Sequence, residues 1–413
     1  MAYEDGIIGR ALHEFLPQVQ LPPAPDGARP LRAADEPWTV ILTGSTGSLG
    51  TFILAVLSRY PPERIRRVYC LNRSEPCPVK HHFALQDDRF VFLKAAFHAP
   101  MLGLRQGLYQ QLLDEVTVVI HNAWTVNFLL PGEAFRPSLA GLRNFLHFSY
   151  ESPAHPPVLF VSSLGIGYAA EVQHIEEVVY DDPDMAAAIG DGYSQSKYVA
   201  ERMIDAYCRS TGLPAAVLRV GQIAGPVSVA AGAWPAREWV PTLLRGSQYL
   251  GALPRTLGLH DAVDWIPVDA VAEIAVEVTE YFVELAGSAP DRAAGATVFN
   301  VANPATVPFA ELIPHLFDFG VASRTVSGDE WLRLLQQSAA ASLRAGKRTP
   351  PGAKLLVFYQ RILEGNKPST ETVTSNLEMA SATARNLQPV NKRWLRRWLG
   401  DWGYQATEVR SRL

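Results

Sequence analysis

The stretch Thr43-Gly44-Ser45-Thr46-Gly47-Ser48-Leu49-Gly50 constrains this chain more than any other. It follows a short apolar run, WTVILT (38–43), and leads into FILAVLSRY, whose apolar residues recur at helical spacing. Gly44 permits a tight turn, Gly47 lets the backbone approach a pyrophosphate, and Gly50 lets helix and sheet pack closely. The helix N-terminus adds amide donors and a dipole that favours an anion. Glycine-rich turns are common, so the triplet alone carries little. Its place at the first strand–helix junction makes dinucleotide binding the expectation.

Six further apolar runs continue the pattern: RVYCLN (67–72), RFVFLK (89–94), VTVVIH (116–121), PVLFVS (157–162), AVLRVG (216–221) and TVFNVA (297–302). Val/Ile/Leu runs without strict alternation suit strands covered on both faces. Interleaved with helical segments, they predict an α/β fold, a Rossmann-type doubly wound parallel sheet. The long interval before the seventh run, and the chain after it, would supply a smaller, mainly helical substrate lobe. The expected boundaries are 1–37 for an N-terminal extension and 38–225 for the dinucleotide-binding domain, completed by about 262–304. Residues 226–261 and 305–413 form the lobe. Six prolines between Pro17 and Pro37 make that stretch read as an extended linker.

Composition narrows the classes further. A chain of 413 residues, 48% hydrophobic, can bury one large core or two joined ones. A net charge of −4 gives no basic footprint for nucleic acid. Cys70, Cys77 and Cys208 lack the spacing of a disulfide framework or a zinc site, so no metal is expected and a reducing, cytoplasmic compartment fits. No window reaches the roughly 18 uncharged apolar residues of a membrane span, and charges interrupt the first residues where a secretory signal would need an apolar run. A soluble protein is expected.

The second run ends in Leu71-Asn72-Arg73, where an NAD enzyme would place an acid against the ribose 2′-hydroxyl. Arg73, with Lys80 beyond it, suits a 2′-phosphate through forked, charge-assisted hydrogen bonds. That favours NADPH over NADH; the alternative is an ordinary solvated arginine.

Gly192-Tyr193-Ser194-Gln195-Ser196-Lys197 opens another helical run and sets Tyr193 and Lys197 on one helical face. A nearby ammonium would lower the phenol pKa from its usual ~10 and make Tyr193 a usable proton donor to a carbonyl. Lys197 could also bond the nicotinamide ribose. Ser162-Ser163 end the fifth run, and Ser163 is the better candidate to hold a substrate oxygen as negative charge develops. An isolated Tyr-x-x-x-Lys is often a surface helix; its company here is what gives it weight.

GSTGSLG, FVSS, YSQSK, LRVGQIAGP and VDWIPVD (263–269) together resemble the extended short-chain dehydrogenase/reductase superfamily. HNAWTVNF (121–128) and EWVPTLLRGSQYLGALP (238–254) are similar to its thioester reductase (R) domains, found in nonribosomal-peptide-synthetase-like and polyketide synthases and in carboxylic acid reductases. The likeness covers about 38–304 and is loose beyond. It implies cofactor contacts by Gly44, Thr46, Gly47, Ser48, Leu49, Gly50 and Arg73, and by Asn122 and Ala123 after the fourth strand. It also implies contacts by Ser162, Tyr193 and Lys197, and by Gly221, Gln222 and Ile223 at the nicotinamide end. The implied reaction is NADPH-dependent release of an acyl chain from the phosphopantetheine arm of a carrier (thiolation) domain, in nature on the same polypeptide. The product would be an aldehyde or, after a second reduction, an alcohol. One departure stands out: Lys94-Ala95-Ala96-Phe97 lacks the Asp that the family commonly sets near the adenine.

Other readings remain open. The chain could be a stand-alone reductase or epimerase acting on a small molecule or nucleotide-sugar, or a non-catalytic NADPH-binding protein. His121 reads as a structural histidine more readily than as an acid or base. Trp234, Trp239 and Trp265 could shape an acyl pocket or simply fill a core. The basic amphipathic stretch Asn391–Leu399 could dock an acidic carrier or pack its Trp/Leu face on the lobe.

Overall fold

The structure, a computed structural model, describes residues 6–24, 36–74, 87–288, 295–364 and 369–405. Lys80 and Cys77 lie outside the described residues.

The apolar runs become seven strands: β1 (Trp38–Thr43), β2 (Ile65–Asn72), β3 (Phe90–Lys94), β4 (Val118–His121), β5 (Val158–Ser163), β6 (Ala215–Val220) and β7 (Thr297–Val301). They form one sheet in the order β7-β6-β5-β4-β1-β2-β3, and every pairing is parallel. β1 and β6 are buried at every position, which is why their sequences show no polar alternation. Strand order reverses between β1 and β4. In open α/β sheets, ligands bind at this switch point, outside the carboxyl ends of the strands.

By compactness the chain divides into two units. The first comprises residues up to Gly221, Val268–Val301 and Thr372–Asn386. The second comprises Gln222–Pro267, Ala302–Glu371 and residues from Leu387 onward.

In the first unit, the longer helices are α1 (Ile7–Val19), α2 (Ser48–Ser58), α3 (Gln106–Glu115), α4 (Arg136–Glu151), α5 (Gly192–Thr211) and α6 (Val268–Ser288). Two features depart from the sequence expectations. The extension expected over 1–37 is not all linker, because α1 packs into the core through Ile8, Leu12, Phe15 and Val19. Pro17 lies inside this helix and forgoes one backbone bond, a cost of about 3 kcal/mol. Burying four large apolar side chains at about 1.5–3 kcal/mol each outweighs it. The second departure is 372–386, expected in the helical lobe but belonging to the first unit. Polar bonds hold it there: Asn376 Nδ2 donates to the Val298 carbonyl of β7 (3.0 Å), and the Thr383 amide donates to Glu277 of α6 (3.0 Å).

The second unit is mainly helical, with Trp239–Leu250, Phe309–Asp318, Gly328–Arg344, Leu356–Leu363 and Lys392–Asp401 around one apolar core. Trp234 and Trp265 are buried in that core, their ring centroids 5.5 Å apart, so they serve packing. The basic C-terminal helix buries Leu395, Trp398 and Leu399, and Trp398 Nε1 donates to the Gly225 carbonyl at 2.9 Å. No described helix is long and apolar enough to cross a membrane.

Candidate active site

The glycine loop lies at the switch point. Gly44 has φ +69°, and a Cβ on it would lie 3.0 Å from Ala123 Cα, so the ends of β1 and β4 meet there with no room for a side chain. A Cβ on Gly50 would come within 2.1 Å of the Gly44 carbonyl oxygen. Helix α2 starts at Gly47 without a side-chain cap, leaving its first-turn amides available, and Thr46, Gly47 and Ser48 are exposed while Leu49 and Gly50 are buried. This is a cradle of backbone donors that a pyrophosphate fits.

Asn72, at the end of β2, braces the cradle. Its Nδ2 donates to Ser45 Oγ at 2.9 Å, and its Oδ1 accepts from Thr46 Oγ1 at 3.3 Å. The next residue, Arg73, is exposed. At the end of β4, Asn122 Nδ2 donates to the carbonyls of Thr43 and Gly44 at 3.4 Å each. The Ala123 amide donates to Thr43 Oγ1 at 2.9 Å, and the same hydroxyl bonds His121 Nδ1 at 3.0 Å. His121 Nε2 has no partner and is buried among rings, with Phe145 nearest at 4.7 Å. Burial, aided by the Lys197 charge, pushes its pKa down to about 3, so it is a neutral core histidine.

Tyr193 and Lys197 lie in the first turns of α5, which Asp191 caps by accepting from the Ser194 amide at 2.8 Å. Both side chains are buried. Ser163, the last residue of β5, accepts from the Gly165 amide at 3.0 Å, and its hydroxyl pulls the pKa of the Tyr193 phenol down. Lys197 Nζ donates to the Val161 carbonyl at 2.7 Å and lies 4.3 Å and 4.4 Å from the ring centroids of Trp124 and Phe160. One expectation is corrected here. The Tyr193 phenol is not made more acidic by Lys197. Burial pushes it up to about 12, against the opposing pull of the Ser163 hydroxyl. Burial also drives Lys197 well below its ordinary value, which weakens any charge it could lend the phenol.

Ser162 faces away from Ser163, as alternate residues of a strand must. Its hydroxyl donates to Glu201 at 2.6 Å and is therefore committed to the interior. Gly221 closes the first unit, its amide donating to the Val301 carbonyl at 3.0 Å. Gln222 and Ile223 begin the second unit, where Gln222 donates from Nε2 to Glu238 at 3.3 Å and accepts from Trp239 Nε1 through Oε1. Ile223 pairs with Ile266 in a short parallel bridge.

The sequence profile described as male sterility protein, an NAD-binding family, matches residues 42–275, more than half of the chain. The chain belongs to this family. Among its relatives is the carboxylic acid reductase of Neurospora crassa, 34% identical over 400 residues, which cover 92% of this chain and 36% of that protein. The chain spans about a third of the length of this carboxylic acid reductase and of a similar adenylate-forming reductase. In fold it resembles the terminal R domain of the myxalamid PKS-NRPS pathway, with a TM-score of 0.70 at 24% identity, covering 93% of this chain and 96% of that one. A thiolation-reductase di-domain from an archaeal non-ribosomal peptide synthetase is similar at a TM-score of 0.63 and 17% identity, covering 96% of this chain and 80% of that one. The male sterility family match, with these likenesses, makes the chain an NAD(P)-binding reductase domain related to those of multidomain biosynthetic enzymes.

Within this family member, sequence reasoning gave no role to four side chains at the site: Thr43, Asn72, Trp124 and Glu201. Thr43 stood only as the first residue of the glycine stretch, and Glu201 carries no motif of its own. Asn72 was visible only as the absence of an acid, and Trp124 only as part of HNAWTVNF. At Ala96, beyond β3, the amide donates to the Leu102 carbonyl at 2.9 Å, and no carboxylate is supplied by that residue.

Proposed function

We propose that the chain catalyses NADPH-dependent reductive release of an acyl group held as a thioester on the phosphopantetheine arm of a carrier domain, giving an aldehyde. The observation that carries this reading is that Ser163, at the end of β5, acts on the buried Tyr193 phenol, in the same sheet whose switch point forms the glycine cradle.

The cradle fits the cofactor: Gly44, Thr46, Gly47, Ser48, Leu49 and Gly50 would hold its pyrophosphate. Arg73 would meet the 2′-phosphate, and Asn122 and Ala123 would border it at the end of β4. NADPH, when bound, supplies the hydride that the thioester carbonyl carbon accepts. Everything else is done by the chain. Ser163 donates a hydrogen bond to the carbonyl oxygen as negative charge builds there. Tyr193, with its pKa raised to about 12, stays protonated at neutral pH and is the proton source. Lys197 packs against the Tyr193 ring at 5.8 Å to its centroid and keeps the helix face fixed to β5 through Val161. When the carbon–sulfur bond breaks, the pantetheine thiol leaves with the proton, so one hydride and one proton convert thioester to aldehyde and thiol.

The carrier domain enters this reading through chemistry. A thioester on a flexible arm has to be brought to the Ser163–Tyr193 pair, and a domain of similar fold stands beside a thiolation domain in an archaeal non-ribosomal peptide synthetase. Incubation with a panel of acyl-pantetheine thioesters and NADPH, with products identified by mass, tests the proposal. Aldehyde or alcohol formation from thioesters, without turnover of free acids or sugar nucleotides, is expected. Turnover of a sugar nucleotide or a free carbonyl compound alone would overturn it.

A further inference from the structure

Behind the Ser163–Tyr193 pair lies a buried ion pair that the proposed reaction does not use. Glu201 follows Lys197 by one turn of α5, and Arg219 sits on β6; they are 2% and 0% exposed at their side chains. Arg219 Nε donates to both Glu201 oxygens at 3.0 Å, and Nη2 donates to Oε2 at 2.6 Å. The remaining N–H groups reach the carbonyls of Glu176 (2.8 Å) and Val178 (2.7 Å), and the guanidinium lies 4.7 Å from the Tyr180 ring centroid. The carboxylate is thus locked in place by a cation that is itself locked. A buried ion pair is a weak stabiliser beside apolar residues of equal volume, so stability alone does not account for it.

One more bond ends on this carboxylate. Ser162 Oγ donates to Glu201 Oε1 at 2.6 Å, and Ser162 is the register partner of Arg219 across β5 and β6. Because side chains alternate along a strand, gripping Ser162 from one side fixes the direction of Ser163 on the other. We propose that Glu201 is a positioning residue: clamped by Arg219 and bonded by Ser162, it fixes the end of β5 so that Ser163 meets Tyr193, and it sets a negative charge one turn from Lys197. The inference rests on the reductase reading above.

The groups around Lys197 bear this out electrostatically. Tyr193 on its own helix is protonated, with Asp191 nearby raising its pKa further, and His121 on β4 is neutral. Arg219 on β6 is matched by Glu201, which raises its pKa against the opposing effect of burial. For Lys197 itself burial lowers the pKa, and Glu201 is the group that opposes it.

The test uses the full chain, NADPH and an acyl-pantetheine thioester. Wild-type turnover is measured first; its absence sinks the reductase reading, whereas the variants judge the positioning role. Ser162→Ala cuts the link and leaves the ion pair. Its kcat should fall roughly 10- to 100-fold, the scale of a misplaced reacting group. NADPH affinity and the urea midpoint should stay close to wild type, and Ser162→Thr, which keeps a hydroxyl, should recover most of the loss. A folded Ser162→Ala enzyme with wild-type kcat overturns the proposal. Glu201→Gln keeps the shape and removes the charge, so Lys197 should lose its proton at lower pH, read from the NMR shift of its ε-methylene. A Lys197 titration that does not move overturns the electrostatic part. If Glu201→Gln does not fold, the Ser162 series decides.

Discussion

Lys197 Nζ donates a hydrogen bond to the carbonyl of Val161 at 2.7 Å, two residues before Ser163 on the same strand. The lysine therefore ties α5 to the end of β5, and the tyrosine one turn earlier is held against Ser163. In this setting Tyr193 need not be a strong acid. A phenol pushed up to about 12 by burial remains protonated through the neutral range and gives up its proton when the substrate oxygen becomes basic. Tyr193→Phe should leave NADPH binding within about twofold of wild type and cut thioester turnover by roughly 10²–10⁴-fold. Fluorescence titration of NADPH and single-turnover kinetics check the two halves. Wild-type turnover in the variant would remove Tyr193 as proton source.

Arg73 follows the last residue of β2 and is exposed, whereas its neighbour Asn72 turns inward to Ser45 and Thr46. The division of labour is structural bracing by the amide and charge by the guanidinium. A charge-assisted bond to a 2′-phosphate contributes about 1.5–3 kcal/mol, so Arg73→Ala should narrow the NADPH/NADH ratio of kcat/KM by roughly 10- to 100-fold. The loss should fall on NADPH alone. An unchanged ratio would reject the 2′-phosphate assignment.

Gly50 and Gly107 make a controlled comparison. A methyl at Gly50 would meet the Gly44 carbonyl oxygen at 2.1 Å, while one at Gly107, in the first turn of α3, would meet nothing within 4 Å. Gly50→Ala must therefore push α2 away from the loop and spoil the cradle, and cofactor saturation should be lost. Gly107→Ala should bind NADPH normally and gain up to about 1 kcal/mol in stability, since alanine loses less entropy in a helix. Isothermal titration and urea unfolding of the two variants give the answer, and equal cofactor affinity would contradict the packing role of Gly50.

Much of this architecture was legible because it repeats a local rule. Runs such as WTVILT and PVLFVS are apolar enough to require cover on both faces, and each fell on a strand of the sheet. What escaped was written in contacts between distant residues. The stripe Ile8, Leu12, Phe15, Val19 is helical in spacing, but Pro17 within it is a residue that usually ends a helix. The segment 372–386 is polar and short, and only Asn376, Thr383 and their partners far back in the chain tie it to the first unit. At the site, the Tyr193 and Lys197 spacing was readable, but their burial was not, and burial reverses the direction expected for the phenol. The Glu201–Arg219 pair was hidden for the same reason: a carboxylate and a guanidinium on a helix and a strand look solvated until both are found in the interior.

His121 offers a pH-dependent test of that interior. Its pKa is pushed down to about 3, chiefly by burial, with the Lys197 charge adding to the effect. The unfolded chain takes up a proton at this residue below about 6.5, and the folded chain does not until about 3. Between those values the unfolded state binds more protons, so stability falls as the pH falls, by up to about 1.4 kcal/mol per pH unit for one histidine. His260, pushed down to about 4 by burial and the Arg361 charge, adds a similar slope in the second unit. His121→Asn retains a side chain able to bond Thr43 but cannot take up the proton. Hydrogen exchange at the amides of β1 and β4, followed from pH 7 to pH 4, should show a shallower loss of stability in the variant than in wild type. The difference should vanish above pH 7, where neither state of wild type is protonated at His121. Parallel slopes below pH 6.5 would mean that the imidazole is solvated or paired in the folded chain, contrary to the unpartnered Nε2 among the Phe97, Phe145 and Phe160 rings.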